Sequence, residues 1–432
     1  MAEQATRFVF GVNYWPRCKA MNWWKAFDSK EVEEEFTLIK SMGLLIVRIF
    51  LLWEDFQPTI DSINQKSIEN LQEVARIAQT LELKLDVTFF TGHMSGPNWV
   101  PSWLLDPSVP LPAPHVRQVI SENGNVILSR ENGGYKDIYS YQPAREAAFL
   151  LISTVVDALV NFDSIYCWNL GNEPDLLVSP ANEAEVLSWV NNICQIIHEK
   201  DTKQRPINFG LHILSLVENN GFRADKIATE MNFASMHAYP MYTSWAKSPL
   251  DPNLVPYTCA LSSALAGKAT LMEEWGGCTL STDSIPEGVV QEPSPKHPEL
   301  GVIWKWQCYG EPRTQFMAFE NSFRDYVENA VKNLIEIGAL GAMMWCFADY
   351  HPSLWNLPPC QQSIHERFFG LVRSDGSLKP HAEWLRDFTK ESHFVQKPLD
   401  FVLPLTADEF YQNPSINAIK YYEDYLAAVN KK

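Results

Sequence analysis

The feature that most constrains this chain is an alternation. Short apolar runs are followed, again and again, by longer stretches whose apolar residues recur at helical spacing. The runs lie at residues 8–14, 45–51, 83–90, 165–170, 206–211, 232–237, 269–274 and 341–347. Between the first two, Asp28 and Glu31 make a capping pattern. Val32, Phe36 and Ile39 then share one helical face, and Gly43 closes the helix. Ile68, Leu71, Ala75 and Ala78 mark a second helix over about 67–81, and a third is expected near 143–160. Val186, Trp189, Val190, Ile193 and Ile197 make the face of a fourth. Further helices are expected near 256–266, 322–337 and 380–388. Strand followed by helix, eight times over, is the pattern of a parallel sheet wrapped by helices. Residues 1–392 therefore read as one α/β domain, a (β/α)8 barrel whose site lies at the C-terminal ends of its strands.

Two excursions interrupt the repeat, at about 91–140 after strand three and about 277–318 after strand seven. The first is rich in Pro, Gly, Asn and Ser and shows little regular pattern, which in a barrel suggests a functional loop. Both follow strands, so both are expected to wall the same mouth. Residues 393–432 form a C-terminal extension, with Ile419, Tyr422, Leu426 and Val429 on one helical face, expected to pack on the barrel.

Composition narrows the partners. The formal charge of −17 argues against nucleic acid or an anionic membrane, both of which need a basic surface. The sequence contains no apolar run long enough to span a bilayer and no basic-then-apolar leader pattern. Its eight cysteines are scattered without a CxxC pair, so a reducing cytoplasm is the expected location. Histidines 115, 198, 212, 351 and 365 show no metal-ligand spacing, so neither metal nor other cofactor is expected.

Two apolar strands end in carboxylates: Trp168-Asn169-Leu170-Gly171-Asn172-Glu173-Pro174 and Leu271-Met272-Glu273-Glu274-Trp275-Gly276-Gly277. A pair of carboxyls at one barrel mouth suits glycoside hydrolysis, where one protonates the departing oxygen and the other attacks the anomeric carbon. Because strand side chains alternate, Glu273 and Glu274 are expected to face opposite ways.

Asn-Glu-Pro after strand four and Glu-Trp-Gly after strand seven resemble the clan A glycoside hydrolases, particularly family 5. The resemblance runs over about residues 8–390 and includes Arg48 on strand two, His237-Ala238-Tyr239 on strand six, Trp345 on strand eight and the run 369–380. It implies that Glu173 is the acid/base and Glu274 the nucleophile of a retaining β-glycosidase. Glu274 rather than Glu273 matches, because an aromatic residue and then glycine follow it; Glu273 departs from the small residue often found there.

The resemblance further implies that Arg48 and Tyr239 support Glu274 and that Asn172 meets the sugar 2-hydroxyl. His237 is expected to bind substrate, and Trp345 to lie under the sugar. The mechanism also requires an ionised nucleophile and an acid/base whose pKa is raised.

His93, in Gly92-His93-Met94-Ser95-Gly96, is a candidate for a sugar hydroxyl, and Trp99, Trp103 and Trp355 are candidate sugar platforms. Asn13 and Tyr14 end strand one, where Tyr14 reads equally as wall or core. An oligosaccharide is the expected partner. By the same resemblance β-mannosides rank first and β-glucosides second, with exo action favoured by the two long loops. A transglycosylase on the same barrel, a non-catalytic carbohydrate-binding barrel and a metal-dependent hydrolase are the alternatives. The last finds no evident ligand set.

Overall fold

The computed structural model describes residues 6–429, apart from 114, 117, 122–124, 129–132, 281–284 and 396–402. The eight apolar runs become eight parallel strands: β1 (Val9–Asn13), β2 (Ile46–Phe50), β3 (Lys84–Thr88), β4 (Ile165–Asn172), β5 (Ile207–Gly210), β6 (Ala234–His237), β7 (Thr270–Gly276) and β8 (Gly341–Trp345). Their ladder order is β5-β4-β3-β2-β1-β8-β7-β6. The circle closes just past the end of β5, where the His237 N–H donates to the Leu211 carbonyl at 2.8 Å and His212 bridges His237. The fold is a (β/α)8 barrel, as the repeat predicts.

The outer layer holds α1 (Ser29–Ser41), α2 (Gln65–Thr80), α3 (Gln142–Leu159), α4 (Glu183–Lys200), α5 (Ala224–Ile227), α6 (Leu254–Ala266), α7 (Glu320–Glu336) and α8 (Pro380–Phe388). The Asp28 side chain caps α1 by accepting from the Lys30 N–H. Glu31 does not complete a capping box; it pairs with Lys19. After the helix, Gly43 takes φ +73°, the left-handed geometry that ends helices cheaply at glycine. The buried faces of α1, α2 and α4 are those read from the sequence. Inside the barrel floor, Ile46, Cys167, Phe233, Leu271 and Met343 form a separate apolar plug.

The excursions are not without pattern. In the first, Asn98–Trp99, Gln118–Ser121 and Asn125–Leu128 form one small sheet, and Leu105–Asp106 pairs with Gly134–Tyr135. In the second, Val290–Pro293, Gly301–Cys308 and Glu311–Ala318 form an antiparallel sheet. Cys308 pairs with Glu311 across a two-residue turn, and both turn residues, Tyr309 (φ +50°) and Gly310 (φ +79°), have positive φ. That is the hairpin turn whose twist matches its strands.

A ninth helix, α9 (Pro414–Val429), packs on α6. Its buried face is Ala418, Tyr421, Tyr422 and Tyr425, one position round from the expected one, and Ile419 is exposed. The tyrosines win because their hydroxyls and rings find partners. Tyr422 donates to Asp251 at 2.5 Å, and its ring lies 4.9 Å from that of Tyr257.

Candidate active site

A cleft of about 470 Å³ opens at the C-terminal ends of the strands. Glu173, at the end of β4, has φ +49° and ψ +56°, a left-handed conformation unusual for a residue with a Cβ. Its N–H is held by the Gly210 carbonyl at 2.9 Å, and Pro174 starts a short helix directly after it. Strain of this kind persists where the surroundings over-determine the backbone, and here it aims a carboxylate into the cleft.

Glu273 and Glu274 do not alternate as expected. The register of β7 shifts against β6 between Met236 and His237, and against β8 between Met272 and Trp275. This irregularity turns both carboxylates toward the barrel axis. Glu274 lines the cleft; it accepts from the Tyr239 hydroxyl at 2.7 Å and from Arg48 Nη1 at 3.2 Å. Glu273 sits beneath it, fully buried, accepting from Asn208 Nδ2 and lying 3.1 Å from His237 Nε2 and 3.5 Å from Arg48 Nη2.

Arg48 is fully buried and organises this layer. Beyond Glu274, it donates to Thr88 Oγ1 at 2.9 Å, Asn13 Oδ1 at 3.2 Å and Asn172 Oδ1 at 2.9 Å. Asn172 lines the cleft, yet its amide also donates to the His93 carbonyl at 2.6 Å, so both ends of the group are already held. His93 lines the cleft as well. Asn98 gives its amide to Tyr135 and to the Leu176 carbonyl. Its Oδ1 is left to accept from His93 Nδ1 at 3.0 Å, which leaves Nε2 as an acceptor 4.0 Å from Glu173.

Several expected substrate contacts are corrected. His237 is fully buried between Glu173 (3.1 Å from Nδ1) and Glu273, so it does not line the cleft. Trp99 and Trp103 do not line it either. Their indole N–H groups donate to the Met94 and Gln57 carbonyls at 3.1 and 3.0 Å, and Trp103 packs edge-on to Trp53. Trp355 donates to the Tyr350 carbonyl at 2.9 Å and likewise lies outside. In each case the loop uses the indole for its own folding. Tyr14 points outward to Glu35, at 2.7 Å. Trp345, by contrast, does line the cleft.

Sequence reasoning missed Tyr242, His212, Tyr309, Arg313 and Glu366, which complete the wall. The alternation in Val302-Ile303-Trp304-Lys305-Trp306 before Tyr309-Gly310 was a hairpin signal; nothing local marked Glu366.

The electrostatics depart from expectation. Burial pushes the Glu173 carboxyl up, but His212, His237 and His93 together pull it down to about 2. Burial raises Glu274, against the pull of His237 and Arg48. This is the reverse of the expected order. Of the three histidines, however, His212 is held down at about 4 and His93 is also lowered, both chiefly by burial, so neither is charged at neutral pH. His237 is raised to about 9: burial opposes its charge, but Glu274, Glu173 and Glu273 outweigh it. At neutral pH the Glu173 carboxylate therefore faces one imidazolium, and the proton an acid would deliver lies one hydrogen bond away.

Glu173, His237 and Glu274 each offer a ligand atom within 4.8 Å of the others, a grouping that histidine spacing could not reveal. Carboxylates flank both nitrogens of His237, and Arg48 and Tyr239 hold Glu274. The set is read more simply as neutralised by the chain's own groups.

No family model matches the chain. It is 28% identical over 164 residues to a probable mannan endo-1,4-beta-mannosidase A of Aspergillus clavatus, an alignment covering 34% of this chain and 44% of that protein. The chain thus spans less than half the length of that relative. Among solved structures, GH5_18 from Streptomyces cattleya in complex with GlcNAc superposes with a TM-score of 0.72 at 16% identity, covering 99% of this chain and 92% of that one. An exo-beta-1,4-mannosidase from Opitutaceae bacterium strain TAV5 does so with a TM-score of 0.68 at 21% identity, covering 90% and 60%. The chain is thus similar in part of its sequence to mannan endo-1,4-beta-mannosidases, and in its (β/α)8 fold to solved family 5 glycoside hydrolases.

Proposed function

We propose that the chain hydrolyses terminal β-mannosides of short oligosaccharides with net retention, Glu274 acting as nucleophile and Glu173 as acid and then base. The observation that carries this reading is the approach of the two carboxyls. One oxygen of Glu173 and one of Glu274 lie within 4.8 Å, an approach that suits the roughly 5–5.5 Å separation of retaining enzymes better than the about 6.5–9.5 Å of inverting ones.

In the first step a Glu274 oxygen bonds to the anomeric carbon while the glycosidic C–O bond breaks. The departing oxygen takes its electron pair and a proton from Glu173. In the second, Glu173 takes a proton from water, whose oxygen bonds to the anomeric carbon as Glu274 leaves. Arg48 and Tyr239 keep Glu274 ionised before attack and stabilise it again as it departs. Trp345 supplies an apolar face at the cleft, and His93 Nε2 accepts from a sugar hydroxyl.

Mannose as the sugar is supported by what the relatives are named for, and by a variant of the Streptomyces cattleya GH5_18 solved with Manb1-4GlcNAc. Exo action is supported by the size of the cleft, which is lined in part by Ser95, Glu366 and, from the hairpin, Tyr309 and Arg313, and whose volume of about 470 Å³ suits a small ligand. All eight cysteines are free thiols, which suits a reducing, cytoplasmic setting. Among the described residues no helix is long and apolar enough to cross a membrane.

The test is turnover of aryl β-mannoside, β-glucoside, β-galactoside and β-xyloside by the wild type, Glu173→Ala and Glu274→Ala, with and without azide. The expected result is activity on the mannoside that Glu274→Ala abolishes and azide partly restores as the α-mannosyl azide. Failure of the wild type on every substrate, or full activity in Glu274→Ala, would overturn the reading.

A further inference from the structure

The two-glutamate mechanism leaves a fully buried carboxylate without a task. Glu273 has no surface in the cleft, yet it sits in a layer that includes Arg48, Asn208 and His237. His237 links it to the cleft: Nε2 lies 3.1 Å from Glu273 Oε2, and Nδ1 lies 3.1 Å from Glu173 Oε1. A carboxylate, an imidazole and a working group in line is the arrangement by which a buried acid fixes the tautomer and charge of a histidine that acts on a third residue.

Every group facing His237 bears on its charge. Arg48 Nη1 lies 3.4 Å from Nε2, but a guanidinium can only donate, and this nitrogen is already directed to Asn13 and Glu274 at 3.2 Å each. Glu273 is nearer and anionic, so it takes the Nε2–H. Glu274 Oε2 adds a further negative charge 3.5 Å from Nδ1. His212, on the closing bridge beside His237, is neutral. Tyr239 is turned to Glu274 and stays protonated. Asp86 is buried and interacts with Glu273; burial and the Glu273 charge push its carboxyl well up, while Glu273 is held down, so Glu273 is the anion of the two. With carboxylates on both nitrogens, the imidazole carries a proton on each.

We propose that Glu273 is a positioning residue that, through His237, stores the proton Glu173 delivers to the leaving oxygen. The proposal rests on the acid/base role given to Glu173 above. In the first step the His237 Nδ1–H bond breaks and its proton passes to Glu173, while Glu173 protonates the glycosidic oxygen as the C–O bond breaks toward that oxygen. His237 ends neutral, Glu173 ends as carboxylate, and the charge lost from Glu274 on glycosylation balances the charge lost from the imidazolium. In the second step Glu173 accepts a proton from water and the pair returns it to Nδ1. Only the register shift in β7 allows this, because strict alternation would have pointed Glu273 into the helix layer.

Glu273→Gln tests the inference, with the aryl β-mannosides above and with nuclear magnetic resonance of the His237 ring. Removing the anion takes away support for the imidazolium, so His237 is expected to titrate at lower pH and the basic limb of kcat/KM to move down with it. The loss of kcat/KM should be about tenfold or more for a phenol leaving group that needs a proton, and much smaller for 2,4-dinitrophenol, which does not. Glu273→Asp, which keeps the charge, should restore part of both; it also serves if the glutamine variant does not fold. An unmoved pH limb with equal losses for both leaving groups would overturn the proposal, as would an unchanged His237 titration. If the wild type cleaves nothing, the catalytic reading has failed, and the ring titration still decides whether Glu273 sets the His237 proton.

Discussion

Tyr239→Phe isolates one hydrogen bond to the proposed nucleophile. The hydroxyl donates to Glu274 Oε1 at 2.7 Å inside a buried site, and the ring, 5.6 Å from Tyr242 and edge-on to Phe369, is kept by phenylalanine. A hydrogen bond to a charged group contributes about 1.5–3 kcal/mol. At about 1.4 kcal/mol per pKa unit, its loss raises the Glu274 carboxyl by roughly 1–2 units. The donor stabilises only the ionised form, and Glu274 must be ionised to attack. The acidic limb of kcat/KM therefore moves to higher pH by that amount, and at a pH on the wild-type limb the rate falls about 10- to 100-fold. Arg48 remains, which keeps the variant from losing all activity. The assay is the pH profile of kcat/KM on an aryl β-mannoside, with thermal unfolding as the control for folding. An acidic limb that stays in place or moves downward would refute the assignment of Tyr239 as a support of Glu274.

Other perturbations probe the same architecture. A methyl group on Gly210 would meet Arg48 Nη2 and Glu273 Oε2 at 2.8 Å and His237 Nε2 at 3.0 Å. Gly210→Ala should accordingly cost about 100-fold in kcat by displacing this layer, and about 1–3 kcal/mol in urea unfolding. Lys379 is buried and donates to Asp349 at 2.7 Å, so Lys379→Met should destabilise by about 3–5 kcal/mol through the stranded carboxylate. Burial already raises Asp349 despite the lysine. Without Lys379 it rises further, and the cost measured by urea unfolding should shrink as pH falls and the carboxyl takes a proton. Trp99→Phe and Trp103→Phe should leave KM within about twofold and lower stability by about 1 kcal/mol each, for the lost indole hydrogen bonds. A large rise in KM would return them to the cleft.

Much of this fold was legible because its signals are local. Strand and helix periods, the Asp28 cap and the stop at Gly43 are properties of a few consecutive residues, and they reappear in place. Glu173 and Glu274 could be singled out for the same reason, since each stands at the end of an apolar run in a parallel barrel. The tyrosine face of α9 was misread by one position because apolar count alone ignores what a hydroxyl can reach.

The sequence by itself determined the order of the elements, the barrel and the two strand ends that carry carboxylates. Tertiary structure decided where neighbouring side chains face and which loops meet. Glu273 turns inward because β6 and β8 impose a register that β7 can satisfy only by breaking its alternation. His237 is enclosed because three carboxylates converge on it from two strands. Trp99 and Trp103 leave the cleft because nearby carbonyls satisfy their N–H groups, while Tyr309 and Glu366 enter it from loops far apart in the chain. Periodicity is set by backbone geometry and can be read one segment at a time; register and encounter depend on closing the whole barrel, and no segment contains them.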